Sequence, residues 1–325
     1  MKMDEEIKIT TKTALVTGGT GFIGSNLVRR LVADGWEVHC LVREGSNLDV
    51  LSEVKDEITF HQTDGSTKSV VDIFQRSKPK IVFHLAAFSK HPYDLEELIP
   101  MINSNIALPV QVLEAMRRTG VDFMINTGTF WQHYEGDPYN PVSLYSATKQ
   151  AFQDILRFYT QTHPIRAITL ILFDTYGPGD PRPKLFNQLT DAARTGHPMR
   201  MTPGEQMLDL VYIDDVVEGY MMSAKRLVSG QVSNHESFAI SAGEHIRLRD
   251  FVDLFQKTLG SKIQIQWGSI PYREREVMVP WSEGAPPPGW EPKTSLQEGL
   301  KKTFNGLEKG KTSPGPSAKT RYRHQ

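Results

Sequence analysis

At 325 residues, with 39% hydrophobic and 23% charged residues, the chain has the length and composition of one large α/β unit or two modest domains. Lys and Arg number 37 against 38 Asp and Glu, a formal net charge of −1, so nothing in the overall balance draws the chain to nucleic acid or to an anionic membrane. The single cysteine, Cys40, excludes an intrachain disulfide and a multi-cysteine metal site, and among Val38, Leu41 and Val42 it reads as a buried structural thiol. Residues 1–12 are charged and lack the apolar centre of a signal peptide, and no apolar run is long enough to span a bilayer. A cytoplasmic protein without a bound metal is expected.

Short runs rich in β-branched residues at 14–17, 38–42, 81–87, 123–127 and 168–173 read as buried strands. Between them, Leu95, Leu98, Ile99, Ile102, Ile106, Val110 and Leu113 keep helical three-and-four spacing, as do Leu144, Ala147, Ala151, Ile155 and Phe158. Strands alternating with amphipathic helices predict an α/β, doubly wound parallel (Rossmann) sheet covered on both faces. After Tyr176 the prolines at 178, 181 and 183 interrupt that rhythm, and the chain is expected to leave the sheet. Residues 1–178 are therefore expected to form the sheet domain, to which the chain returns near 207–242, at 208–213 and 238–241. Residues 179–305 are expected to form mainly a smaller α/β lobe, including 251–259 and the alternating 263–267. Residues 306–325, rich in Lys, Gly, Ser and Pro, read as a disordered tail.

Two motifs carry chemistry. The run 17–24 (Thr-Gly-Gly-Thr-Gly-Phe-Ile-Gly) lies between the first strand and the first helix. Gly18, Gly21 and Gly24 there permit a tight turn, a close approach to a pyrophosphate and tight packing of helix on strand, with free N–H groups at the helix start. Tyr145 and Lys149 stand one helical turn apart, so that a nearby ammonium could stabilise phenolate and bring the tyrosine's proton exchange toward neutral pH. The glycine run resembles the TGGTGFIG form of extended short-chain dehydrogenases/reductases, a group of nucleotide-sugar epimerases, dehydratases and reductases, and the resemblance extends from Thr13 to about Phe304.

That resemblance implies a nicotinamide dinucleotide held by Gly18, Thr20, Gly21, Phe22, Ile23 and Gly24, by Asp64 and Gly65 at the adenine, and by Leu85, Ala86 and Ala87 beneath it. At the end of the second strand Val42 takes the position of the usual aspartate. Arg43 follows it, with Ser46 close by, and arginine suits a 2′-phosphate. NADP is favoured, and NAD with a solvent-exposed Arg43 is the alternative, since Glu44 is adjacent. The resemblance also implies a catalytic Thr127 acting with Tyr145 and Lys149, the last two also touching the cofactor. Asn105 either supports the active site or faces solvent. Thr129, Phe130, Trp131 and Gln132 are expected to line the sugar pocket.

Further along, 174–178 resembles the family's Asn-Val-Tyr-Gly-Pro with Asp174 replacing asparagine, and Leu208 stands where an arginine usually binds the diphosphate. Arg273 matches a second family arginine, Arg275 could replace the missing charge, and Lys184 and Asn187 could approach the nucleotide. The run 288–296 resembles the family's closing segment. Gly128 and Thr129 leave no carboxylate after Thr127, which disfavours dehydration. Runs 126–132 and 272–278 resemble CDP-abequose and CDP-paratose synthases, which reduce a CDP-linked 4-keto-3,6-dideoxyhexose. The expectation is an NADPH-dependent reductase of a nucleotide-linked 4-ketosugar that works as a homodimer through helices at 95–116 and 144–161. The alternatives are an NAD-dependent 4-epimerase and, in another class, a non-catalytic NADP-binding regulator.

Overall fold

A computed structural model describes residues 12–309. In chain order the main elements are β1 (Thr13–Thr17), α1 (Phe22–Ala33), β2 (Glu37–Val42), β3 (Ile58–Gln62), α2 (Thr67–Ser77), β4 (Ile81–His84), α3 (Leu98–Ile102), α4 (Leu108–Thr119), β5 (Phe123–Thr129), α5 (Leu144–Thr162) and β6 (Arg166–Leu172). There follow β7 (Asp174–Tyr176), α6 (Leu185–Thr195), β8 (Met199–Arg200), β9 (Met207–Leu208), β10 (Leu210–Tyr212), α7 (Ile213–Val228), β11 (His235–Ile240), β12 (Ile246–Arg247), α8 (Leu248–Leu259), β13 (Ile265–Gln266) and α9 (Leu296–Lys309).

The doubly wound parallel sheet expected from the sequence is present. Seven strands lie in the order β11-β6-β5-β4-β1-β2-β3, and all their pairings are parallel. Strand periodicity sends alternate side chains to opposite faces. Ala14, Val16, Val38, Ile125 and Leu170 join the core beneath α1 and α7, while Leu15, Leu41, Val82 and Met124 join the one beneath α2, α4 and α5. β1 and β4 are neighbours, yet the chain leaves β1 toward β2 and leaves β4 toward β5. That reversal opens a crevice beyond their carboxyl ends, where open α/β sheets bind ligands.

Sequence patterning did not mark β3. With Thr59, His61 and Gln62 it is half polar, as an edge strand covered on one side can be. The return near 208–213 also takes another form: β9 pairs with β12 and β10 with β7, and only β11 rejoins the seven-stranded sheet. Elements α6 and α8 pack around an aromatic cluster in which Tyr176 stacks on Phe186 at 4.7 Å and Phe186 meets Phe251 and Phe255, and β8 pairs with β13. The closing segment is fastened to the start of α7. Both Asp215 carboxylate oxygens accept backbone amides, from Lys293 and Thr294 at 3.0 Å, and Trp290 Nε1 donates to the Asp215 carbonyl at 2.9 Å. Residues 306–309, expected to begin a disordered tail, continue α9, and the rest of that tail lies outside the described residues.

Candidate active site

The glycine turn joins β1 to α1 at the crevice. Gly18 has φ +71°, and a Cβ there would stand 2.6 Å from the backbone nitrogen of Ala86; a Cβ on Gly24 would stand 2.1 Å from the Gly18 carbonyl oxygen. Only glycine allows these approaches. α1 begins at Phe22 with no side-chain cap and no acidic residue in its first turn, so its N–H groups and dipole face the turn uncompensated. Thr20 and Ile23 are half-buried on either side of exposed Gly21. Opposite, Leu85 and Ala86 are half-buried and Ala87 is exposed. A narrow, small-residue cradle with free donors fits the pyrophosphate of a dinucleotide.

At the end of β2, Val42 is 8% exposed, while Arg43 is exposed and has no ion-pair partner among the described residues. Ser46 donates its amide to the Arg43 carbonyl at 3.2 Å, turning the chain back at the end of β2. The exposed Asp64 carboxylate accepts the Ser66 amide at 2.8 Å, and the adjoining Gly65 carbonyl accepts from Gln111 at 2.9 Å.

Tyr145 enters the site because α5 starts one residue before it. Ser143 caps the helix in a capping box with Ser146. Burial lifts the Tyr145 phenol to about 12, and the positive charge that reaches it is that of Arg182. This differs from the sequence-based expectation of a phenol tuned by Lys149 toward neutrality. Lys149 is 3% exposed, has no hydrogen-bond or ion-pair partner among the described residues, and is lowered by burial to about 8. The Tyr145 phenol is therefore a proton donor at neutral pH, and Lys149 is a buried cation near its own titration point.

Thr127 Oγ1 donates to the His84 carbonyl at 2.8 Å and lies 2.7 Å from the hydroxyl of Tyr220 on α7. His84 is buried, and burial together with the charge of Lys149 lowers its imidazole to about 3, so the ring is neutral. Its Nδ1 is 2.8 Å from Thr17 Oγ1, which accepts the Ala86 amide at 3.2 Å. The ends of β1, β4 and β5 are thereby tied together. Asn105 is buried inside a π-helical turn (Asn103–Ala107) between α3 and α4. Its side chain accepts from the Phe88 amide at 2.7 Å and donates to the Phe88 carbonyl at 3.0 Å and to Thr148 Oγ1 at 2.9 Å. It fastens the segment after β4 to α5 next to Lys149. Of the two readings open from sequence, the solvent-facing one is not what the structure holds.

Of the residues expected to meet substrate, Arg273 lies over the Trp131 ring at 5.3 Å and forms a two-pronged pair with Glu276 at 2.8 and 3.0 Å. His91 meets the same indole edge-on at 5.9 Å. Lys184 Nζ is 3.9 Å from the Asp174 carboxylate, and Arg275 bonds Asn140 and lies 4.4 Å over Tyr134. Arg182, which sequence reading passed over among loop prolines, is gripped by Asp180 and the Thr175 carbonyl and lies 4.8 Å over the Phe22 ring.

Four expected sugar or nucleotide contacts are turned inward instead. Gln132 has no exposed surface; its amide donates to Gln150 and Gln153 at 2.7 and 2.8 Å and accepts from the Thr129 amide. Thr129 is 8% exposed and accepts the Trp131 amide, while Phe130 stacks on Phe173 at 4.8 Å. Asn187 donates to the carbonyls of Asp180 and Arg182, both at 2.7 Å, holding the loop that carries Arg182. Among the described residues no group of three or more His, Cys, Asp or Glu could hold a metal ion, and no helix is long and apolar enough to cross a membrane.

Residues 14–238 match the NAD dependent epimerase/dehydratase family. A CDP-abequose synthase of Salmonella muenchen is 25% identical over 301 residues, covering 91% of this chain and 98% of the relative. A UDP-glucuronate 4-epimerase of Thermodesulfobacterium geofontis is 26% identical over 314 residues, covering 90% and 94%. Among solved structures, the UDP-glucose 4-epimerase of Thermus thermophilus in complex with NAD aligns with a TM-score of 0.77 at 26% identity, covering 91% of this chain and 98% of that one.

Proposed function

The chain belongs to the NAD dependent epimerase/dehydratase family, whose members act on nucleotide sugars with a nicotinamide dinucleotide, and from that premise we propose that it is an NADPH-dependent reductase of a CDP-linked 4-keto-deoxyhexose. The observation that carries the reductase reading is the end of β2. Buried Val42 offers no carboxylate to a ribose 2′-hydroxyl, and exposed Arg43 beside it suits a 2′-phosphate. A cofactor of that kind is consumed and exchanged at each turnover. The likeness to CDP-abequose synthase supports the CDP-linked substrate.

NADPH, when bound, supplies the hydride that goes to the sugar's carbonyl carbon. The residues of the chain handle the charge that develops on oxygen. Tyr145, protonated at neutral pH, gives its phenolic proton to that oxygen, producing the alcohol and a phenolate that is reprotonated from water. Thr127 supplies a second hydrogen bond to the same oxygen. The positive charge of Arg182 is the one that reaches the phenol as it loses its proton, and Lys149, one helical turn further along α5, would hold the nicotinamide ribose. Arg273, Lys184 and Arg275 face the diphosphate, and Trp131 offers a flat apolar surface to the deoxysugar. Gly128 and Thr129 supply neither of the carboxylates that elimination would need.

The second reading is an NAD-dependent 4-epimerase. It is favoured by the likeness to 4-epimerases, one of them solved with NAD, and by Glu44 next to Arg43. The unpaired, buried Cys40 fits a reducing, cytoplasmic compartment. Leu95 and Ile99, at and within the start of the helical segment 95–116, and Phe158 on α5 are apolar yet 85%, 61% and 56% exposed, which supports a homodimer through the helices at 95–116 and 144–161, and light scattering showing a monomer at micromolar concentration would remove that part. The test of the function is NADPH consumption against CDP-, dTDP-, GDP- and UDP-linked 4-ketosugars with NMR of the products. Reduction at carbon 4 of a CDP-linked sugar is expected; interconversion of UDP-sugars without NADPH would support the epimerase.

A further inference from the structure

Tyr220 lies within α7 with no exposed surface, and its hydroxyl is 2.7 Å from Thr127 Oγ1. The second neighbour of Oγ1 is the His84 carbonyl at 2.8 Å. A carbonyl can only accept, so the threonine hydrogen goes to His84, and in the contact with Tyr220 the phenol donates. Burial holds the Tyr220 phenol above its ordinary titration range, so it stays a donor at neutral pH.

In this arrangement the hydrogen of Thr127 is committed to the backbone and unavailable to a substrate. Rotation about the Cβ–Oγ1 bond moves it off His84 toward the cleft without moving the oxygen. The phenol of Tyr220 can go on donating to that oxygen throughout. A hydroxyl that accepts one hydrogen bond is a stronger donor of the next. We propose that Tyr220 is a positioning residue for the reaction: its phenol anchors and polarises the Thr127 hydroxyl, which can then turn from the His84 carbonyl to the substrate's carbonyl oxygen and donate there alongside Tyr145. This rests on the reductase reading for the identity of that oxygen, while the pairing of Tyr220 with Thr127 stands apart from it.

The experiment is a double-mutant cycle on Tyr220→Phe and Thr127→Ala, read in two ways. Thermal unfolding of the four cofactor-free proteins tests the pairing, and coupled, non-additive midpoints are expected. Steady-state kinetics with NADPH and the ketosugar test its use. Tyr220→Phe should lower kcat about 3–10-fold, as the loss of one neutral hydrogen bond implies, with KM for NADPH unchanged. In the Thr127→Ala background Tyr220→Phe should lower kcat no further. Equal kcat losses in both backgrounds, or an unchanged kcat in Tyr220→Phe, would overturn the proposal even if the unfolding midpoints are coupled, because the phenol would then serve the fold alone. Additive midpoints would overturn the pairing itself. If the wild-type enzyme reduces no 4-ketosugar, the reductase reading fails by itself, and the same kinetic cycle is run on the nucleotide sugar it does convert, where the same two results would overturn the role of Tyr220.

Discussion

The two walls of the proposed cleft would hold their ligands by different means. On the dinucleotide side the determinants are backbone. Gly18 and Gly24 leave room that a single Cβ would fill, and the start of α1 presents bare N–H groups. On the proposed substrate side stand side-chain charges that already have protein partners: Arg273 with Glu276, Arg182 with Asp180, Lys184 with Asp174. A backbone cradle is fixed by the fold and suits one shape. A set of charges held by exchangeable partners can be re-aimed by single substitutions, so substrate choice can diverge while the cofactor site stays put. Tyr145 and Lys149, the proposed catalytic pair, share α5.

The largest effect is expected where the walls meet. Tyr145→Phe keeps the ring and removes the proton donor, so single-turnover hydride transfer should slow by about 10²–10⁴-fold. NADPH affinity, measured by fluorescence titration, should hold, because the backbone side is untouched. A parallel fall in both would mean the two walls are not separable at this residue.

Lys149→Met should split stability from function. Burial takes the ammonium from lysine's ordinary range to about 8, so the folded state binds its proton less readily than the unfolded chain does. That penalty is fully present below about pH 8 and fades as pH rises toward lysine's ordinary range. The cofactor-free variant should therefore be more stable at pH 7 by up to about 3 kcal/mol, and the gain should shrink at higher pH. Turnover and dinucleotide binding should both suffer. Unfolding curves that show no gain at pH 7 would mean Lys149 has a partner in solution.

Arg43→Asp tests a side-chain determinant on the mainly backbone side. Loss of a charge-assisted phosphate contact, about 1.5–3 kcal/mol, should weaken NADPH roughly 10–150-fold while leaving NADH nearly unchanged. Equal binding of the two cofactors before and after the change removes the NADP assignment.

The smallest effect belongs to the substrate wall. Glu276→Gln releases the partner of Arg273, and exchange of a partly exposed pair is worth about 1 kcal/mol or less. KM for the sugar nucleotide should move less than about 5-fold, but its rise with added salt should steepen because one more positive charge is uncompensated. A salt response identical to wild type would mean Arg273 does not face the diphosphate.

The same contrast explains what the sequence disclosed. Buried parallel strands are continuous β-branched runs, and the glycine turn must be glycine for steric reasons, so both are visible in one dimension. The half-polar edge strand β3 lacks such a run. The π-turn around Asn105 hides inside a regular helical spacing, and only burial shows that its amide joins Phe88 to Thr148. Gln132 and Asn187 read as pocket residues because polar groups near a cleft look available. Their partners, Gln150 and Gln153 on α5 and the carbonyls at 180 and 182, become visible only on folding. Arg182 and Tyr220 gave no local signal. One sits among prolines and the other in an ordinary amphipathic helix, and each matters through what it meets: Phe22 and Tyr145 for the first, Thr127 for the second.

The central claim is that the cofactor is consumed, and the balance of nicotinamide across one reaction tests it most directly. Enzyme freed of dinucleotide is mixed with NADPH and a CDP-4-keto-3,6-dideoxyhexose, and loss of nicotinamide absorbance is followed beside product formation. One NADPH oxidised and released as NADP for each alcohol formed is the predicted result. Conversion of a sugar nucleotide to its carbon-4 epimer by enzyme that retains NAD, with no net change in absorbance, would contradict it.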